Sequence, residues 1–153
     1  LGNGAPIAAT VGRAELLDSM EYGEASDTYS GNPHGCAAVT AALDVYESQP
    51  IVANCRAMSQ RMQEGLSSLR DEFACVANVR GEGLVWGVEM AAVGDASADE
   101  VATAAVLACY HEGVHLLGPL AKKVLRVSPP LVVTADEVDE GIDGMRRALR
   151  TIA

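Results

Sequence analysis

The sequence predicts an α/β fold, in which helices pack on short strands. From residue 51 to residue 73, apolar side chains recur every three or four positions, which is the spacing of one face of a long helix. Residues 84–90 alternate between large apolar side chains and other residues, as a half-buried strand does. Two Ser/Thr-x-x-Glu capping boxes, at residues 97–100 and 134–137, begin helices beside further short strands.

The first third of the chain should contain one strand and two helices. Residues 2–4, with a glycine on each side of Asn3, predict a turn, and residues 7–11 predict a short buried strand. Residues 14–20 predict one or two helical turns. We expect the strand to lack neighbours within this chain, so the segment should be poorly ordered, rearranged or paired with another copy.

A polar loop at residues 21–31 leads into the helix around which the sequence is organised. Asn32 is a suitable N-cap because its amide oxygen accepts hydrogen bonds from the first turn. Pro33 suits the next position, where a missing N–H has no cost. This helix should end at residues 47–50.

The rest of the chain predicts a hairpin, two further strands and three helices. The helix at residues 51–73 has a polar face opposite its apolar one. The predicted elements that follow are strands at 76–79 and 84–90 joined by a glycine-containing turn, a helix from Ser97 to a C-cap at Gly113, strands at 114–117 and 124–127, and a last helix from Thr134.

Composition argues against nucleic acid or an anionic membrane as a partner. The chain has 153 residues, 49% of them hydrophobic, which suffices for a core. Its formal net charge is −10, and its only basic clusters are Lys122-Lys123 and Arg146-Arg147. We expect neither a membrane anchor nor a signal peptide, since no stretch has the required apolar pattern. Because the chain does not begin with Met, we expect it to be a fragment.

The cysteines and histidines predict no metal site. Cys36, Cys55, Cys75 and Cys109 lie in apolar stretches at spacings of neither a zinc ribbon nor a C-x-x-C pair, so we expect reduced core thiols. The three histidines are too scattered to be ligands. Reduced thiols favour the cytoplasm.

Arg126 is the candidate binding residue that the pattern itself indicates. Alternation in the strand at residues 124–127 places Leu125 and Val127 on one face and Arg126 on the other. A guanidinium in so apolar a strand is costly unless it meets an anion, and its planar fork matches a carboxylate. An internal salt bridge with one of the many acids is the alternative.

Four collinear segments resemble the class III aminotransferases, which are pyridoxal-phosphate enzymes of fold type I. The segments are L-G-N-G-A-P-I-A-A at 1–9, T-Y-S-G-N-P-H-G-C-A-A at 28–38, V-R-G-E-G-L-V-W-G-V-E at 79–89 and L-R-V-S-P-P-L at 125–131. The resemblance does not include the family's N-terminal half. It implies that residues 1–45 end the large cofactor-binding domain and begin the interdomain helix, and that residues 46–153 form the small C-terminal α+β domain.

The resemblance also implies a function. The complete enzyme would transfer an amino group from a small-molecule amino donor to a keto acid by means of pyridoxal phosphate. Thr28 would bind the cofactor phosphate of the neighbouring subunit in a homodimer with shared active sites, although a threonine that stabilises its own turn is the alternative. Arg126 would bind a substrate carboxylate.

The catalytic lysine is not among these residues. The resemblance implies that the Schiff-base lysine lies upstream of Leu1, so we expect the chain alone to be inactive. The two lysines present, Lys122 and Lys123, lie beside a strand and lack the buried setting that such a lysine needs. Two alternatives stay open: a non-catalytic α/β binding or interaction module, and a decarboxylase, epimerase or aminomutase of the same family.

Overall fold

The computed structural model describes residue 1, residues 4–119 and residues 122–152. The chain divides into two compact units, Leu1–Pro50 and Ile51–Ala153. The predicted turn at residues 2–4 lies largely outside the described residues.

The main element of the first unit is helix α2 (Pro33–Ser48), which follows the short helix α1 (Ala14–Leu17). The Asn32 side chain accepts hydrogen bonds from the backbone N–H groups of His34 at 3.0 Å and Gly35 at 3.4 Å. The predicted N-cap is therefore confirmed, as is proline in the first turn. No residue of α2 is buried.

The predicted strand at residues 7–11 is wrong. These residues form no strand in the structure, and Val11 is 93% exposed. A strand has to exchange backbone hydrogen bonds with a neighbour, and no strand is present in the described part of this unit. The helical turn predicted at residues 14–20 is confirmed by α1.

The second unit is an antiparallel sheet of three strands covered by three helices. Its elements are α3 (Ile51–Glu72), β1 (Val76–Glu82), β2 (Val85–Met90), α4 (Ala98–His111), β3 (Val124–Val127) and α5 (Ala135–Leu149). The strand order is β1-β2-β3. Fully buried side chains from the helices and the sheet form one core, among them Leu66, Leu69, Val88, Leu125, Met145 and Leu149.

The two faces of the sheet differ as alternation predicts. On β2, Trp86, Val88 and Met90 are buried, while Val85 is exposed on the other face. The Trp86 indole N–H donates to the Gly83 carbonyl at 2.9 Å. The first strand is longer than predicted, and the connection to β2 shortens to residues 83–84, with Gly83 at a φ of +59°.

Both predicted capping boxes form. The Ser97 hydroxyl accepts from the Glu100 backbone N–H at 3.4 Å, and the Glu100 carboxylate accepts from the Ser97 N–H at 2.8 Å. Thr134 and Glu137 make the equivalent bonds at 3.3 and 2.8 Å. Gly113 has a φ of +82°, as its predicted place beyond the end of α4 requires.

The strand predicted at residues 114–117 is wrong. Among the residues that the structure describes, one isolated backbone bridge, between Leu117 and Arg126, joins this segment to β3. Because β3 has only four residues, its free edge offers little length for a ladder to extend. Residues 120–121 of the adjoining loop lie outside the described residues.

Glycines bring α5 close to its neighbours. A Cβ atom added at Gly65 on α3 would lie 2.8 Å from the Ile142 Cγ1 atom on α5. A Cβ atom added at Gly144 would lie 2.5 Å from the Val114 Cγ2 atom. Both distances are below any ordinary carbon–carbon contact, so these two glycines permit the close approach.

Arginines near the end of α5 bind the end of α3. The Arg146 guanidinium donates to the Glu72 carboxylate at 2.8 Å and to the Ser68 hydroxyl at 2.9 Å, and also pairs with Asp143. Arg150 reaches the same Glu72 carboxylate at 3.2 Å. Elsewhere, Arg61 of α3 pairs with Asp139 of α5.

The cysteines are only partly as predicted. All four are free thiols, but Cys36 is exposed and Cys55 half-buried, so only Cys75 and Cys109 belong to the core. Cys36 lies on α2, which buries no residue. Burial raises the pKa of the Cys109 thiol to about 11.

Candidate functional site

Arg126 lies on the solvent-facing side of the sheet. Its strand, β3, is paired on one side with β2, where Gly87 is the residue directly opposite. Leu125 and Val127 point into the core and Arg126 lies on the other face, as alternation predicts, and the structure shows that Arg126 is exposed there. Because Gly87 has no side chain, nothing on the middle strand covers the arginine at that position.

Arg126 has no carboxylate partner among the described residues. Each ion pair within 4.0 Å in this part of the protein involves another arginine or a lysine. The alternative of an internal salt bridge is therefore not realised here. An exposed guanidinium without a counter-ion remains available for an anion from outside.

Glu89 is the acid on this face that could have neutralised Arg126, and it is engaged elsewhere. One carboxylate oxygen binds the Lys123 ammonium at 2.7 Å and the other binds the Arg80 guanidinium at 2.7 Å. The hydrogen bond from Lys123, followed by that from Arg80, lowers the pKa of Glu89 below its usual 4.5. Glu89 is therefore a carboxylate at neutral pH with both oxygens occupied.

Sequence reasoning did not predict this network. Alternation placed Glu89 on the outer face, but the contact with Arg80 depends on the register between β1 and β2, which has a shift between Val76 and Asn78. Arg80 was predicted in the turn of the hairpin, whereas the first strand extends through Glu82 and includes it. The opposite charges of Arg80 and Glu89, close to each other in a hairpin, were the signal that could have indicated the contact.

An apolar cleft of about 400 Å³ adjoins Arg126. His115 and Glu137 contribute polar groups to its wall. The apolar lining includes Leu116, Val127, Pro130 and Ile142. Clefts of this size and polarity are typical of small-molecule sites.

Thr28, in the first unit, lies in an exposed turn that another residue stabilises. The Asp27 carboxylate accepts from the backbone N–H groups of Tyr29 at 2.7 Å and Ser30 at 2.8 Å, and from the Ser30 hydroxyl. That hydroxyl, followed by the Tyr29 N–H, lowers the pKa of Asp27. The turn is thus held by its aspartate, a use of Asp that is common in turns.

The polar groups of Thr28 itself are free within the described part of the first unit. Neither its hydroxyl nor its N–H forms a hydrogen bond there. One hydroxyl and one N–H on an exposed turn can donate to an oxyanion.

No metal site is apparent in the part of the chain that the structure describes. It contains no group of three or more His, Cys, Asp or Glu side chains placed to hold an ion. Among the same residues, no helix combines the length and apolarity needed to cross a bilayer.

Comparison with known proteins identifies the family. The class-III aminotransferase family matches residues 1–149, so the chain belongs to the class III aminotransferases. An acetylornithine aminotransferase of Pseudomonas putida is 35% identical over 154 residues, which include 99% of this chain and 36% of the relative. A leucine/methionine racemase of Thermococcus litoralis is 30% identical, over 99% of this chain and 34% of its own length.

A solved structure supports the same assignment. An amine transaminase from an uncultivated Pseudomonas species, in its PLP-bound form, has a TM-score of 0.74 and 25% identity over 86% of this chain and 30% of its own. The predicted α/β fold, as part of a fold type I enzyme, is confirmed. The chain spans about a third of the length of the curated relatives it matches. The domain boundary inferred between residues 45 and 46 stays a prediction.

Membership in this family implies pyridoxal phosphate as the cofactor. The free hydroxyl and N–H of Thr28 fit one contact to its phosphate. The lysines do not fit the Schiff-base role, because Lys122 and Lys123 are both exposed and Lys123 is paired with Glu89. A lysine that holds the cofactor is usually buried and has a lowered pKa.

Proposed function

We propose that this chain is part of a pyridoxal-phosphate-dependent aminotransferase that transfers an amino group from a small-molecule donor to a keto acid. Support comes from the family match over residues 1–149 and from acetylornithine aminotransferases at 33% and 35% identity. Pyridoxal phosphate supplies the electron sink for the carbanion chemistry when it is bound. The residues of this chain bind and orient the substrate and the cofactor.

Arg126 binds a carboxylate of the substrate in this proposal. The observation that supports this role is that the Arg126 guanidinium has no acidic partner among the described residues. The carboxylate of Glu89, on the same face of the sheet, is already bound by Arg80 and Lys123. Both an amino acid and a keto acid contain a carboxylate that a guanidinium can bind through two parallel hydrogen bonds. The same residue would therefore orient both substrates.

Thr28 binds the cofactor phosphate of the neighbouring subunit, so the enzyme is a homodimer with shared active sites. Its hydroxyl and N–H, which form no hydrogen bond within the described part of the first unit, support this part of the proposal. The cytoplasm as its location, suggested by the cysteine pattern, belongs to the same proposal.

The test is Arg126→Lys in the complete enzyme that contains this sequence. Lysine keeps the charge and loses the fork, so the Michaelis constant for amino and keto acids should rise by an amount equivalent to roughly 2–5 kcal/mol. Amines that lack a carboxylate should be much less affected. Arg61→Lys, at an exposed arginine paired with Asp139, is the matched control.

Two results would contradict the proposed role of Arg126. Equal impairment on acids and on amines would mean that the arginine does not recognise the carboxylate. A lower melting temperature with unchanged Michaelis constants would mean that it only stabilises the fold.

The racemase relative supports a second candidate, another reaction of the same family. Incubation of an amino acid in deuterated water without a keto acid separates the two. A racemase or epimerase inverts the α-carbon through many turnovers, whereas a transaminase without a keto acid retains the configuration of the amino acid and forms at most one equivalent of keto acid per site. A complete protein that binds no pyridoxal phosphate would instead support a non-catalytic module.

The 153-residue chain alone is proposed to be inactive, because neither of its lysines suits the catalytic role. Transaminase turnover by the purified chain would contradict this. Borohydride trapping and peptide mapping would distinguish a specific imine from casual modification of the exposed Lys122 and Lys123.

A further inference from the structure

We infer that Arg80 is a positioning residue for Arg126: with Lys123 it holds Glu89, and so keeps that carboxylate from neutralising the arginine that binds the substrate. The inference rests on the proposed role of Arg126. It assigns Arg80 a role that acts through Glu89.

Register makes both Arg80 and Arg126 diagonal neighbours of Glu89. Arg80 on β1 and Arg126 on β3 are both directly opposite Gly87 on β2, one on each side. Glu89 is two residues further along β2, on the same face, so each arginine is its diagonal neighbour. Diagonal neighbours lie about 7–8 Å apart, which long side chains can bridge.

The structure shows only one of these two possible ion pairs. The Arg80 Nη1 atom is 2.7 Å from Glu89 Oε2, whereas no carboxylate oxygen of the described residues lies within 4.0 Å of Arg126. Lys123 holds the other oxygen, Oε1, at 2.7 Å. The Glu89 side chain is 20% exposed, so water competes only partly for it.

Gly87 contributes to this arrangement. A Cβ atom at this position would lie 3.2 Å from the Val124 Cγ1 atom and 3.9 Å from the Arg80 Cγ atom. The aliphatic part of Arg80 therefore lies beside the space above Gly87, from where its guanidinium reaches Glu89. If Arg80 were removed, Oε2 of Glu89 would lose its partner, and the remaining diagonal cation is Arg126.

The first experiment tests the competition directly in the 153-residue chain, without substrate. The pKa of Glu89 is measured by carboxyl-carbon NMR in the wild type, Arg126→Gln, Arg80→Gln and the double variant. In the wild-type background, Arg126→Gln should change the Glu89 pKa little. In the Arg80→Gln background it should raise the pKa clearly, because Arg126 has taken over the carboxylate.

The second experiment measures the consequence in the complete enzyme. Arg80→Gln should raise the Michaelis constant for carboxylate substrates about two- to sixfold at unchanged kcat, since part of the Arg126 population is then paired internally. Adding Glu89→Gln should restore the wild-type value. Arg80→Lys keeps a cation and should leave the Michaelis constant nearly unchanged. Arg61→Gln breaks an Arg–carboxylate pair elsewhere and should also leave it nearly unchanged.

The outcomes separate this inference from the proposed function. If Arg126→Gln itself leaves the Michaelis constant unchanged, the proposed role of Arg126 is wrong, and this inference falls with it. If Arg126→Gln raises it but Arg80→Gln does not, only the inference is overturned. The inference is also overturned if Glu89→Gln fails to reverse the effect of Arg80→Gln on the Michaelis constant. It is overturned as well if Arg126→Gln changes the Glu89 pKa equally in both backgrounds.

Discussion

Two glycines on one helix, Gly141 and Gly144 of α5, should respond to alanine in opposite directions. A Cβ atom at Gly141 would meet nothing within 4 Å, whereas one at Gly144 would lie 2.5 Å from the Val114 Cγ2 atom. Both substitutions gain about 1 kcal/mol of helix propensity. Only Gly144→Ala also overpacks the core, at a cost of about 1–3 kcal/mol.

Gly141→Ala should therefore stabilise the second unit by about 1 kcal/mol. The free energy of unfolding of Gly144→Ala should be lower than that of Gly141→Ala by about 1–3 kcal/mol. For a unit of this size, that difference corresponds to about 4–12 °C in melting temperature. Trp86 is the protein's one tryptophan and is buried in this unit, so its fluorescence follows the unfolding of the unit in urea.

A double variant identifies the cause. Val114→Ala removes the methyl groups that the new Cβ atom would meet, so Gly144→Ala should cost less in that background than in the wild type. If Gly144→Ala is as stable as Gly141→Ala, or if Val114→Ala does not reduce its cost, the close contact does not limit packing and the reasoning fails.

Three further predictions concern acid, thiols and the cofactor. Hydrogen bonds from Ser97, from Thr134 and from Arg61 lower the pKa values of Glu100, Glu137 and Asp139, respectively. As the pH falls, these carboxyl groups take up protons in the unfolded chain before they do in the folded one. Their contribution to the free energy of unfolding should therefore be fully present above about pH 4.5 and decrease as the pH drops below it. Urea midpoints measure this, and Glu137→Gln should weaken the pH dependence. Iodoacetamide should label Cys36 of the chain quickly and Cys109 only on unfolding, and mass spectrometry showing equal rates would contradict the described burial. In the complete enzyme, Thr28→Ala should weaken cofactor retention by roughly 1.5–3 kcal/mol while the exposed control Thr103→Ala does not; unchanged cofactor dissociation would remove Thr28 from the site.

Local chemistry was the part of the fold that could be predicted. The caps at Asn32, Ser97 and Thr134 depend on residues within one helical turn, and all three are confirmed. The strands at residues 7–11 and 114–117 were predicted from apolar side chains alone. A strand also needs a partner backbone, which a local pattern does not reveal.

Of the candidate site, too, only the local features could be predicted from the sequence. Alternation along four residues predicted that Arg126 lies on the face opposite Leu125 and Val127, because the direction of a strand side chain is a local property. That Arg126 has no acidic partner among the described residues depends on Glu89, 37 positions earlier in the sequence, and on which of two arginines Glu89 binds. Such a choice is decided by the register of three strands, which composition and spacing do not specify.

The pairs between α3 and α5 have a consequence for the dynamics of the last helix. Helix ends commonly fray, because their last carbonyls lack partners and few contacts hold them. Here Arg146 and Arg150, one turn apart, both bind Glu72 in the last turn of α3. Opening of either helix end therefore breaks ion pairs that it shares with the other, so the amide protons of the two ends should exchange with solvent at similar rates.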